Sequence, residues 1–323
     1  MLLNIFNRLR ARTPDAESVP LEFEEGGFEL NNSDEVLTIS YRLKVIPAHA
    51  YSNRNDLKEI HIHDGVKEIG LCAFEGCSEL VRVNVSPRNK VFDSRFDCNA
   101  IIRTKEKELI LGCKNTIIPE GVRSIGSGAF SGCIGLTEIH IPKSVSFIFD
   151  FAFRDCIGLT KIHISEGVKM IGDWAFSGCI NLKEVFIPNS LLCISKSAFK
   201  DCFSLNEIHI PEGVERIGDG AFSGCINLKE VFIPNSVESI GDYSFTHCGM
   251  TEIHIPDGIV EIGNYAFAEC PCLKVVSIPE SVTIIGHGVF AGCIGLKEIS
   301  IPKSLFAKDI GLDLGKVSVI CLE

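Results

Sequence analysis

LNEIHIPEGVERIGDGAFSGCIN, residues 205–227, is the stretch whose reading decides the fold. Its Glu207-Ile208-His209-Ile210 alternates polar and apolar, the two-residue period of a half-buried strand. Pro211 has no N–H to extend a strand, and Glu212-Gly213 supplies a turn. Val214 and Ile217 suit a second short strand, and Gly218 permits another turn. Ala221-Phe222 should pack inward on a tight corner compatible with a helical turn. Cys225, small and weakly polar, fits where the wall is too crowded for leucine.

The stretch recurs. Cys133, Cys156, Cys179, Cys202, Cys225 and Cys248 fall at intervals of 23, followed by Cys270 at 22 and Cys293 at 23. Units begin at Leu57, Leu80, Leu136, Leu159, Leu182, Leu205, Leu228, Met250, Leu273 and Leu296, with degenerate copies at 34–56 and 113–135. A period of 20 to 29 residues with apolar strands is the signature of a solenoid, so one elongated domain is expected where length alone suggests two. A lone unit holds too few large apolar side chains to offset the entropy of ordering it, and neighbours must bury one another's faces. The unit at Leu80 spends 33 residues before the next begins, and Ala100-Ile101-Ile102-Arg103 and Glu108-Leu109-Ile110-Leu111 flank Thr104-Lys105-Glu106-Lys107 within it. That predicts a β-hairpin insert at about 84–112, projecting from the solenoid. Residues 307–323 lose the Ala-Phe and Cys positions and read as a C-terminal cap over the last strand edge. Residues 1–33 read as an N-terminal arm or cap with an acidic lead-in from Asp15 onward.

Several function classes fall away on composition. Net charge is -11, from 31 Lys and Arg against 42 Asp and Glu, so nothing favours a polyanion and nucleic acid is not an expected partner. No apolar run approaches the roughly 18 residues of a membrane-crossing helix, and no transmembrane segment is expected. In MLLNIFNRLRAR, residues 1–12, the arginines follow the apolar residues, the reverse of a secretory signal; Leu2, Phe6 and Leu9 could share one face of a short helix. Fifteen cysteines, so many of them stacked, suit a reducing compartment. A cytoplasmic location is expected, with the cell surface or secretion by a non-classical route as the alternative.

The string LxEIxIPxxVxxIGxxAFxGC, clearest at 136–156, 205–225 and 273–293, resembles the BspA-like (treponemal-type) leucine-rich repeat family over residues 34–306. The resemblance implies a β-rich leucine-rich repeat solenoid of about 12 units of 23 residues. It places parallel strands on a concave face, with short second strands and tight turns on the other side. It also suggests protein recognition, often at cell surfaces, and supplies no shared catalytic residues.

In the first strand, positions 4 and 6 of the unit should face the core and positions 3 and 5 should face out. Position 5 carries His61, His140, His163, His209 and His254, five of the nine histidines, with Phe186 and Phe232 in two further copies. Position 3 carries Glu138, Glu184, Glu207, Glu230 and Glu252, interrupted by Lys161. At a strand spacing of about 4.8 Å these form a ring-bearing stripe beside a carboxylate stripe. Stacked glutamates repel unless Lys183, Lys229 and Lys297 at position 2 relieve them or a cationic partner does. The expected function is therefore noncatalytic binding of a protein or peptide with basic, apolar-flanked segments on the face spanning 138–254. Duplication offers a plainer origin for the pattern: residues 161–190 and 207–236 match at 25 of 30 positions, so the His–Phe pairs were copied together. The alternative function is a scaffolding or adhesin-like protein that binds through the 84–112 hairpin.

Other chemistry is weaker. His140 and His163, with Glu138 nearby, could gather two imidazoles and a carboxylate, but no HxxxH, HExxH or paired CxxC spacing occurs, so no metal or other cofactor is expected. The stripe also has the composition of a pH-responsive surface. Buried thiols on an apolar wall should be inert, and no GxSxG is present. Gly218-Asp219-Gly220 and Gly126-Ser127-Gly128 resemble phosphate loops only because turn glycines fall in register. No enzyme activity is expected.

Overall fold

The computed structural model describes residues 35–306, 308–313 and 315–322. The proposed N-terminal arm or cap, with Leu2, Phe6 and Leu9, lies outside them. Each regular unit makes one turn of a parallel β-solenoid of about a dozen turns. The first strand of a unit, such as Glu138–Ile141, pairs in parallel with its copy one unit on, Lys161–Ile164, and that with Glu184–Phe186. The two-residue second strands, Ser124–Ile125 through Ile284–Ile285, form a separate and continuous parallel sheet. Helix is confined, among the described residues, to two 3-10 turns, Arg95–Asp97 and Lys303–Leu305.

The core is a set of columns. In the 205–227 unit Leu205, Ile208, Ile210, Val214, Ile217, Ala221, Phe222 and Cys225 are all buried. From Phe130 through Phe153, Phe176, Phe199, Phe222, Phe245 and Phe267 to Phe290, rings stack at 4.8 to 5.8 Å between centroids with planes within 11° of parallel. The cysteine column has a reason beyond size. From Cys156 to Cys293 each thiol of the column donates to the carbonyl of the Phe one unit back, as Cys156 Sγ does to Phe130 O at 3.1 Å and Cys225 Sγ to Phe199 O at 3.2 Å. The same carbonyl also accepts a backbone N–H from three residues on, as Phe130 O does from Cys133 N–H at 2.9 Å, so the thiol adds a second hydrogen bond that leucine could not supply. Burial removes solvent from any thiolate and pushes the Cys225 thiol up to about 12.

The corner is not helical. Two columns of residues adopt left-handed backbone there: Gly220 (φ 59°) and Gly224 (φ 78°) in the 205–227 unit, but Trp174 (φ 58°), Tyr243 (φ 55°) and Asp201 (φ 58°) at matching places in other units. Left-handed backbone costs a residue with a Cβ roughly 1–2 kcal/mol, and the repeat offsets it with tightly meshed corners. Phe153 N–H donates to Ala175 O and Phe176 N–H to Ala198 O, at 2.7 and 2.8 Å. A polar column reinforces them: Asp173 N–H donates to Asp150 Oδ1 at 2.8 Å and Asp242 N–H to Asp219 Oδ1 at 3.1 Å.

The insert differs from expectation. Ala100–Arg103 and Glu108–Gly112 do pair antiparallel, yet the pair does not project from the rod. It is stitched into the second sheet, with Glu108–Gly112 running parallel to Ser124–Ile125 and Phe92–Asp93 adding beyond Ala100–Arg103. Ile101, Ile102 and Leu109 are fully buried, because both strands are too apolar to stand in water. The unit therefore lacks a corner of its own, and the corner of the preceding unit meets the following one directly, Gly76 N–H donating to Ser131 O at 3.0 Å. Gly112 takes the place of a core phenylalanine and donates its N–H to Ala129 O. A Cβ on Gly112 would lie 2.0 Å from Cε1 of Phe130. At the C-terminal end Ser318–Leu322 pairs in parallel with Glu298–Pro302, and Phe290 N–H donates to Ile310 O in place of a further corner.

Candidate functional site

All eleven candidate side chains are exposed: Glu138, His140, His163, Glu184, Phe186, Glu207, His209, Glu230, Phe232, Glu252 and His254. Alternation puts them there. Ile139, Ile162, Ile208, Val231 and Ile253 point inward from the same strands and are buried, which turns positions 3 and 5 outward. Register then sets neighbours. His140 lies opposite His163 and His163 opposite Phe186, while His209 lies opposite Phe232.

The rings use that register. His140 and His163 stack at 5.2 Å between centroids, His163 meets Phe186 at 6.0 Å with tilted planes, and His209 stacks on Phe232 at 4.3 Å. Phe186 and Phe232 nevertheless keep 52% and 49% of their surface in water, a large apolar exposure on an otherwise polar face. The stripe falls into patches, 138–186, 207–232 and 252–300, because the first-strand pairing lapses between them.

The carboxylates are unevenly matched. Lys161 Nζ sits 2.7 Å from Glu184 and 5.4 Å from the centre of the Phe186 ring, so a single lysine serves both. Lys161 had only marked a break in the glutamate column; its placement within that column was the available signal for its role. Glu207 faces Glu230 directly across the strand pair, and neither has an ion pair among the described residues. Of the two ways to relieve the glutamates, Lys183, Lys229 and Lys297 or a cationic partner, the lysines make no close contact with them among the described residues. Position 2 does not share the outward row of position 3, and these lysines form no ion pair with the stripe among the described residues. His140 and His163 gather no third ligand: among the described residues, the group with three metal-ligating side chains in reach of one another lies elsewhere, at His49, Cys72 and Glu75.

Parallel strands stacked one unit apart, with leucine, phenylalanine and cysteine columns inside, define a leucine-rich repeat solenoid. The model of the BspA type leucine rich repeat region matches residues 22–110, 108–212 and 193–309, and the chain belongs to that family. A solved leucine-rich repeat protein from Bacteroides ovatus is 28% identical over 93% of this chain and 73% of its own, with a TM-score of 0.65. A second from Eubacterium ventriosum is 22% identical over 73% of this chain and 59% of its own, with a TM-score of 0.59. The pneumococcal vaccine antigen PcpA, 20% identical over 87% of this chain and 66% of its own, gives a TM-score of 0.56. The last two likenesses speak to fold alone. No functionally curated protein matches the sequence. Proteins of this family generally serve in protein interaction or at surfaces.

Proposed function

We propose that the protein is a noncatalytic recognition module whose first-strand face binds a protein or peptide segment bearing Lys or Arg flanked by apolar side chains. The observation that carries the reading is the pairing of half-exposed Phe232 with the opposed, unneutralised Glu207 and Glu230. Like charges directly opposite one another destabilise a sheet, and an apolar ring held in water gains by being covered. One ligand, a cation beside an apolar group, relieves both. In the hairpin-centred alternative the paired strands of the insert are mostly buried, and its exposed residues are Thr104, Lys105 and Glu106 at the tip with Pro87, Arg88, Lys90, Phe96 and Asp97 beside it. A reducing compartment suits the same reading, with fifteen free thiols in one chain.

Selection of random peptides on the whole protein tests the proposal. Enriched peptides should carry basic residues next to apolar ones and bind about tenfold or more weakly to the Phe186→Ala/Phe232→Ala variant. Enrichment of acidic peptides, or equal affinity for the double variant, would remove this face from consideration.

A further inference from the structure

A second cluster of reactive side chains lies away from the strand face, on the corner of the first turns. His49 and Cys72 occupy one slot of consecutive units, 23 residues apart, and Glu75 follows Cys72 by three around the same corner. A nitrogen, a sulfur and a carboxylate oxygen from these residues all lie within 4.8 Å of one another. His49 Nδ1 is 3.8 Å from Glu75 Oε2. We propose that His49, Cys72 and Glu75 form a binding site for a zinc-like divalent transition metal, with a fourth position open to solvent.

Donor chemistry supports this choice of metal. Imidazole, thiolate and carboxylate together are the mixed set that zinc accepts in tetrahedral sites, and three protein ligands leave one position free. Magnesium and calcium, which want oxygen throughout, are poorly served. One thiolate and one carboxylate balance the two charges of the ion. Zinc bonds of about 2.0–2.3 Å place donors closer together than they now stand, so closure needs about an ångström of side-chain rotation.

The framework is already fixed. His49 N–H donates to Leu71 O, Tyr51 N–H to Ala73 O and Asn53 N–H to Glu75 O, at 3.2, 2.8 and 2.7 Å, locking the two corners in register. Both His49 (φ 57°) and Cys72 (φ 53°) hold left-handed backbone. The missing corner of the next unit brings Ser131 alongside, and its hydroxyl donates to Glu75 Oε1 at 2.8 Å, leaving the other carboxylate oxygen toward His49. Such an outer partner orients a ligand. In the next corner the matching residue is Gly128, where a Cβ would lie 2.9 Å from Cys72 Sγ, so a residue with a side chain there would crowd the sulfur. The Cys72 thiol stands outside the cysteine column. Burial, with Glu75 beside it, pushes it up to about 12, against the weaker pull of Arg154. A bound cation reverses that balance by taking the thiolate directly.

Cobalt(II) alone is the probe, titrated into the full chain carrying Cys272→Ser and Cys321→Ser to remove the two exposed thiols. One equivalent should produce a thiolate-to-cobalt charge-transfer band with intense tetrahedral ligand-field bands, and zinc should displace it. Cys72→Ser should abolish the charge-transfer band, His49→Gln should weaken binding, and Ser131→Ala should weaken it by about 10-fold or more. Circular dichroism checks that each variant folds, and His49→Gln keeps the test decisive should Cys72→Ser misfold. Absence of a thiolate band at one equivalent, a band that survives Cys72→Ser, or cobalt binding by His49→Gln as tight as before, overturns the site.

Discussion

Two aromatic rows run along this molecule, one inside and one outside. The inner row, Phe130 to Phe290, repeats a single ring in every turn at nearly constant spacing and tilt. The outer row mixes histidine with phenylalanine, varies from 4.3 to 6.0 Å, and ends in serine at Ser277 and Ser300. Packing density enforces the first, since a change in one layer is felt by both neighbours. Water tolerates any occupant in the second, so what stands there reports copying history or use rather than folding. The difference teaches that regularity marks the load of the fold and irregularity marks where binding has room to vary.

Four measurements would break or sharpen that contrast. Alkali should act on the interior alone and most strongly. The thiols of Cys77, Cys133 and Cys225 are raised from an ordinary 9.0 to about 11, 12 and 12, so the unfolded chain releases those protons first. Their contribution is intact below pH 9 and lost as pH climbs toward 11–12. At pH 10 each costs about 1.4 kcal/mol, and thermal melts at pH 8 and pH 10 should separate clearly. A melting temperature that does not fall would mean the column is wetter than it looks. Next, Phe199→Ala should destabilise by about 3–5 kcal/mol in denaturant unfolding, whereas Phe186→Ala should stay within about 0.5 kcal/mol. Equal losses would erase the distinction between the rows. Gly112→Ala, which drives a methyl into the Phe130 ring, should cost about 1–3 kcal/mol and be rescued in part by Phe130→Leu. Smallest of all, Glu207→Gln should stabilise by about 0.2–1 kcal/mol at low salt, and the gain should fade as salt rises; a loss would show that Glu230 is not its burden.

Much of this was legible in the sequence because the repeat is a local statement made many times. Strand positions 4 and 6, the Pro211 stop and the second strand near Ile217 follow from alternation within single units. Corner glycines such as Gly220 and Gly224 announce left-handed backbone, but Trp174 and Tyr243 in the same conformation do not, since tertiary packing holds them there. The direction of the hairpin was hidden for a related reason: its partner strand, Ser124–Ile125, lies in the following unit and leaves no mark on residues 100–111. Lys161 could be read as an interruption but not as the shared neighbour of Glu184 and Phe186, which depends on register. His49, Cys72 and Glu75 escaped notice because ligand spacings are sought within a helix or knuckle. Here the relevant distance is one full period of the chain.

That dependence on a single period makes length a free variable of this architecture. Excising residues 182–227 joins Asn181 to Leu228 with every slot preserved; Phe176 would rest on Phe245, and His163 would come beside Phe232. The face would shorten by two strands, about 10 Å, without a new kind of contact anywhere. A gene that gains or sheds such blocks can tune the reach of its product like a ruler cut at its own graduations.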